Sequence, residues 1–210
     1  MGSVVKPFTV FEKTTQRAID LINYHKSGTN LTEGDDLVRG AVVISVAGFD
    51  RHFTAKFCDV LVPHLKEGKA PSSEICKLLN DAGLDTRFAL ELAVSRRPFR
   101  KIRTIVQNSL SRHTTHRSDA IDSLFLHFGL KNLSKSAEAK ANRKSLVKRI
   151  MKLVDIRNEI AHEAHVDVSG NAKSIDAEDT LKRINDILLF VTNCDQIIDN
   201  RFGIKQPVSA

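Results

Sequence analysis

Apolar residues recur at helical spacing along most of the chain, and no segment sustains the period-two alternation of a half-buried strand. Phe8, Phe11, Ala18, Leu21 and Ile22 predict a helix over residues 8–25, which the polar run Lys26-Ser27-Gly28-Thr29-Asn30 breaks. A second helix is predicted over 36–62, with Pro63 marking its end. Its first half, from Leu37 to Phe49, is apolar on most sides and therefore belongs in the middle of a bundle. Gly40, Ala41, Ala47 and Gly48 mark close approach by a neighbouring helix, since each Gly there costs roughly 1 kcal/mol relative to Ala.

Shorter helices follow over 72–82, 85–95, 99–110 and 118–128, with Ser72 or Ser73 as a cap and Gly83 as a stop. The longest helical pattern covers 134–165, and a last helix covers 176–202, with Asp176, Glu178 and Asp179 where the helix dipole favours anions. Between these two, residues 166–171 leave room only for a turn or a very short strand. The pattern predicts an all-α helical bundle: one domain over 1–203, in which about 68–134 elaborates a smaller core, and a loose tail over 204–210.

Composition narrows the class further. With 41% apolar and 27% charged residues the chain is neither disordered nor low in complexity. Its longest apolar stretch, 40–49, is about half of the ~20 residues a membrane-spanning helix requires. No secretory leader precedes the first charged segment, so a cytoplasmic location without a membrane role is expected. Cys58, Cys76 and Cys194 are odd in number and widely spaced, which predicts buried thiols rather than bridges or metal ligands. Lys and Arg exceed Asp and Glu by 7, with a pI near 9.4, a surplus that attracts polyanions.

One anomaly stands out against the helical pattern. The apolar stripe of the long helix runs Leu146, Ile150, Leu153, Ile160 and Ala164, and the position that should continue it after Leu153 is Arg157. A guanidinium in the core-facing row must be paired, reach outward, or line a cleft where an anion can meet it. Beside it runs a polar row of Asp155, Asn158, His162 and His165. Arg157 and His162 are five residues apart and so differ by about 140° around the axis. Spacing alone leaves open that Arg157 pairs with an acid on a neighbouring helix and that His162 is a surface imidazole. His162-Glu163-Ala164-His165 does not make a zinc site, because HExxH requires histidines four apart and these are three apart.

The segment Arg157-Asn158-Glu159-Ile160-Ala161-His162 resembles the signature of the HEPN superfamily, an Arg followed by four to six residues and a His, with a polar residue directly after the Arg. Its place near the end of a long helix, before a turn and a final helix, is similar to that superfamily's arrangement. The apolar run from Arg39 to Phe49, closed by Asp50, is similar to the RiboL-PSP-HEPN branch. The resemblance implies an HEPN-like bundle with additional helices inserted between the core helices. It also implies a metal-independent endoribonuclease without a cofactor, working as a homodimer that brings two motif copies across a shared cleft.

On that implication His162 and Arg157 are the catalytic residues, and Asn158, His165 and Asp50 support them. Imidazole titrates near neutrality, so two His162 copies could divide the base and acid duties while RNA supplies its own nucleophile, the 2′-OH. Arg157 would stabilise charge on phosphorus, leaving a 2′,3′-cyclic phosphate and a 5′-OH. Some members carry a modified tyrosine two residues after the motif His; that position is Ala164 here, and the sole tyrosine is Tyr24.

Basic clusters fit RNA phosphates or, equally, a solvated face. They are Arg96, Arg97, Arg100, Lys101 and Arg103; Arg112, His113, His116 and Arg117; and Lys140, Arg143, Lys144, Lys148, Arg149 and Lys152. Three functional readings follow. The first is a dimeric ribonuclease acting as a toxin or antiviral effector, with an antitoxin or sensor partner. The others are a non-catalytic RNA-binding or regulatory module and an interaction subunit for an acidic partner.

Overall fold

The computed structural model describes residues 6–28, 34–67, 71–112 and 117–204. Among them the chain forms nine helices: α1 Pro7–Lys26, α2 Gly34–Lys66, α3 Ser73–Asp81, α4 Thr86–Ala93, α5 Pro98–Leu110, α6 Ser118–Leu126, α7 Leu133–Lys140, α8 Leu146–Glu163 and α9 Ala177–Phe202. Extended structure among the described residues is limited to one antiparallel bridge between Val166 and Ala172. His113, His116 and residues 205–210 lie outside the described residues.

The run of apolar residues without a polar face makes α2 the axis of the bundle. Val38, Ala41, Val42, Val46, Phe49, Phe53, Phe57 and Leu61 are buried along its whole length, with α1, α8, α9 and α5 packed around it. Phe53 lies between Phe49, Phe125 and Phe190 with ring centroids 5.3 to 6.2 Å apart in edge-on contacts, each of which adds about 0.5–1.5 kcal/mol beyond burial. Gly48 is where α1 comes closest: a Cβ built there would stand 2.9 Å from Thr14 Cγ2. Gly40 has only ordinary contact with Leu21, and Ala47 is exposed, so of the four small residues Gly48 makes the predicted approach, while Ala41 is simply buried.

Pro63 does not end α2. It removes one backbone donor, yet the helix continues to Lys66, because Leu65 packs on the core and His64 lies edge-on to Phe128 at 5.7 Å. The long pattern over 134–165 is two helices rather than one. Asn142 and Ser145 adopt left-handed backbone angles, φ 48° and 59°, and the Glu138 carboxylate accepts from the Leu146 N–H at 2.8 Å, capping a new start. Asp186 of α9 holds the elbow, with Arg143 Nη1 and Arg149 Nε each 2.7 Å from one of its oxygens.

Cys58 and Cys194 are buried as expected, whereas Cys76 is exposed on α3. Burial pushes the Cys58 thiol up to about 12 and Cys194 well above the usual range, so both stay protonated and inert. No helix among the described residues is long and apolar enough to cross a membrane.

Candidate active site

The buried stripe of α8 is Leu146, Ile150, Leu153 and Val154, and Arg157 continues it. Its side chain is half-buried, and it meets no carboxylate among the described residues. Nη1 donates to Asn158 Oδ1 at 3.1 Å, while Nε is buried without any hydrogen-bond partner. Pairing with an acid on a neighbouring helix, the alternative left by spacing, is therefore absent among the described residues. A half-buried guanidinium with an unpartnered nitrogen costs free energy where it stands unless an anion meets it.

His162 is exposed in the last turn of α8. Arg157 follows the buried stripe at an angle of about 140° around the helix from His162, which is exposed.

The structure separates His165 from the row that periodicity assigned to it. Helix α8 ends at Glu163; Ala164 and His165 both take left-handed angles, φ 53° and 52°, and the chain turns inward. His165 is buried, and its Nδ1 accepts from Arg39 Nε at 3.4 Å, which leaves the ring hydrogen on Nε2. Burial and then the Arg39 charge hold this imidazole below its usual titration range, against a smaller opposing pull from Glu159. Arg39, itself buried, also donates to Asp36 Oδ1 at 2.7 Å and to the Lys173 carbonyl at 2.6 Å.

The turn after α8 is thus tied to the start of α2, and Glu159 ties it a second time. Its carbonyl accepts from the His165 N–H at 3.2 Å and its carboxylate from Lys173 Nζ at 2.9 Å, a bond that keeps the carboxyl below its usual range. Asp167 closes the tip by accepting from the Ser169 and Asn171 N–H groups, with Gly170 at φ 81°. Sequence reading missed Arg39 and Glu159 as supports of the motif. Arg39 was visible as the lone arginine opening an apolar helix.

The remaining predicted residues are spread out. Asp50 is half-buried on the side of α2 that carries Arg39, eleven residues and about 16 Å further along the axis. Arg149 is engaged with Asp186, so its charge is already matched; Lys152 is exposed on α8. Arg96, Arg97 and Arg100 are exposed around the start of α5, on a different part of the molecule's sequence from the motif helix. Among the described residues no three His, Cys, Asp or Glu side chains gather in a way that could hold a metal ion.

The motif helix thus carries a guanidinium with no carboxylate partner among the described residues and an exposed imidazole five residues on. The family model of RiboL-PSP-HEPN matches residues 12–200, and the chain belongs to that family. Membership points to a nuclease or otherwise RNA-related role. Neither a curated protein nor a solved structure matches the chain.

Proposed function

We propose that the protein is an endoribonuclease that cleaves RNA by attack of the 2′-OH on the adjacent phosphorus, without a metal, and serves as a toxin or antiviral effector. The observation that carries this reading is Arg157: half-buried, without a carboxylate, with Nε unpartnered, five residues before an exposed histidine. The guanidinium is the donor for the non-bridging phosphate oxygens, held in direction by Asn158. One His162 removes the 2′-OH proton and a second protonates the departing 5′-oxygen. Because Arg157 and His162 stand about 140° apart around one helix and two imidazoles are needed at once, the working site is a shared one, with a second copy supplying the second imidazole. Lys148 and Lys152, exposed on the same helix, are placed to meet flanking phosphates.

The test is incubation of purified protein with total RNA in EDTA, followed by end-group analysis. Fragments ending in 2′,3′-cyclic phosphate and 5′-OH, lost with His162→Ala, are expected. A metal requirement, or cleavage that survives His162→Ala, overturns the reading.

A further inference from the structure

Helices α1, α2 and α5 enclose a cleft of about 230 Å³ to which the motif helix α8 contributes no residue. Gly48, where α1 comes closest, and Ala55 line it from α2, and neither carries a side chain that could fill it. Val10 and Phe11 of α1 supply apolar walls. The polar lining comes from Arg51 and His52 of α2 and from Arg103 and Gln107 of α5, and no acidic residue lines the cleft.

One of these groups is buried with a hydrogen-bonding position unused. The His52 side chain is wholly buried, and its Nε2 lies 2.8 Å from Asp195 Oδ1 on α9. A carboxylate only accepts, so the hydrogen on that side belongs to Nε2. Nδ1, on the other edge of the ring, points away from α9 and is buried with no hydrogen-bond partner. Leaving such an atom unmatched costs about 1–3 kcal/mol, which a ligand in the cleft would recover. The charges add a second requirement. Arg103 is shared with Asp59 beside the cleft, whereas Arg51 is exposed and has no ion pair among the described residues. An anion is therefore the complementary head group.

Size and lining decide the rest. The cleft is below the ~300 Å³ at which sites for drug-sized ligands begin, so a nucleotide or an RNA strand is too large for it. Its aromatic ring, Phe11, is buried and offers no face for stacking a base. A water alone would satisfy Nδ1 but leave Arg51 unanswered and the apolar walls wet. We propose that the cleft binds a compact hydroxylated organic anion, a small hydroxy acid or phosphate monoester, whose anionic head meets Arg51 and Arg103 and whose hydroxyl meets His52 Nδ1. A hydroxyl both donates and accepts, so it suits Nδ1 with or without a hydrogen. Val10 and Phe11 pack on the carbon skeleton. His52 lies thirteen residues, about 20 Å, along α2 from Arg39, so the site is separate from the candidate active site and independent of the ribonuclease reading.

The test is calorimetric titration of the full chain with lactate, mandelate, 4-hydroxyphenylacetate and glycerol 3-phosphate. Each control lacks one feature: phenylacetate and methyl phosphate have no hydroxyl, and benzyl alcohol has no charge. At least one hydroxylated anion is expected to bind at one site per chain, about threefold or more tighter than its counterpart without the hydroxyl, with benzyl alcohol silent. Arg51→Ala should weaken that binding about tenfold, and Ala55→Leu, which places a larger side chain in the cleft, should abolish it. Arg51 is exposed, so its variant should melt like the parent and gives a reading free of packing effects. In long-range proton–nitrogen spectra the His52 Nδ1 signal should move on binding. Failure of every hydroxylated anion to bind overturns the proposal, as does binding that Arg51→Ala and Ala55→Leu leave unchanged. Equally tight binding of the controls without a hydroxyl, with the Nδ1 signal unmoved, removes His52 from the site and overturns it as well. Among the binders, preference for the carboxylates or for the phosphate ester identifies the head group.

Discussion

Two helices of the bundle each carry a histidine and a strong cation within five residues, His52 and Lys56 on α2 and Arg157 and His162 on α8, and they are completed in opposite ways. Between α2 and α9, His52 and Lys56 stand one turn apart and face Asp195 and Asp199, also one turn apart. His52 Nε2 donates to Asp195 Oδ1 at 2.8 Å, and Lys56 Nζ lies 3.1 Å from Asp195 Oδ2 and 2.7 Å from Asp199 Oδ1. All four side chains are buried. Burial pushes the Asp195 carboxyl up, but the hydrogen bond and charge of His52, followed by those of Lys56, outweigh it and hold it below its usual range. At the end of α8, Arg157 and His162 have no carboxylate opposite them among the described residues. One nitrogen is left unpartnered in each place, His52 Nδ1 and Arg157 Nε, so an orphaned atom does not distinguish them. The supply of opposite charge does. Where the fold provides its own counter-charges the cluster fastens helices; where it withholds them the cation is left unmatched among the described residues, as the proposed phosphate site requires.

That contrast predicts opposite outcomes for removing a charge. Asp195→Ala should cost about 3–5 kcal/mol of stability in urea denaturation, because it strips buried His52 of its acceptor and leaves buried Lys56 with Asp199 alone. A loss under about 1 kcal/mol would mean the cluster is no fastener. Arg157→Ala should leave the urea midpoint close to the parent's and slow RNA cleavage about 10²–10³-fold, measured on a fluorogenic oligonucleotide. Destabilisation matching that of Asp195→Ala would erase the contrast.

The smallest effect concerns pH. His165 binds its proton more weakly folded than unfolded, so below the free imidazole value of about 6.5 the unfolded chain takes up a proton the fold refuses. Stability should therefore fall as pH drops from about 6.5 toward the lower folded value. His165→Asn, which tolerates the left-handed backbone, should flatten that slope; urea midpoints across this range with an unchanged slope would exclude His165 as its source.

Much of this was legible in the residues. Period gave the order of most helices, and Ser72 caps as predicted; Asp85 and Asp176, read as the first residues of their helices, turn out to be their caps. Arg157 was visible because it interrupts a stripe whose continuation the geometry of a helix demands. The elbow at 142–145 was not, because neither Gly nor Pro marks it: Asn142 and Ser145 adopt their angles under the hold of Asp186, 37 residues beyond Arg149. His165 was assigned to the wrong face for a similar reason, since its turn is imposed by Arg39, 126 residues away. The pairing of His52 and Lys56 with Asp195 and Asp199 had a local signal, matching one-turn spacings on two apolar helices, but nothing in either helix says that they meet.

The anchors of α8 have a mechanical consequence. At its base the Asp186 carboxylate grips residues on both sides of the elbow, and at its tip Arg39 and Glu159 clamp the turn that follows. A beam fixed at both ends cannot tilt or slide without breaking one of its fixings, so Arg157 is delivered at a height and angle set before any ligand arrives. On the proposed reading, little freedom would remain to be surrendered when a phosphate lands there, and affinity would gain by that economy.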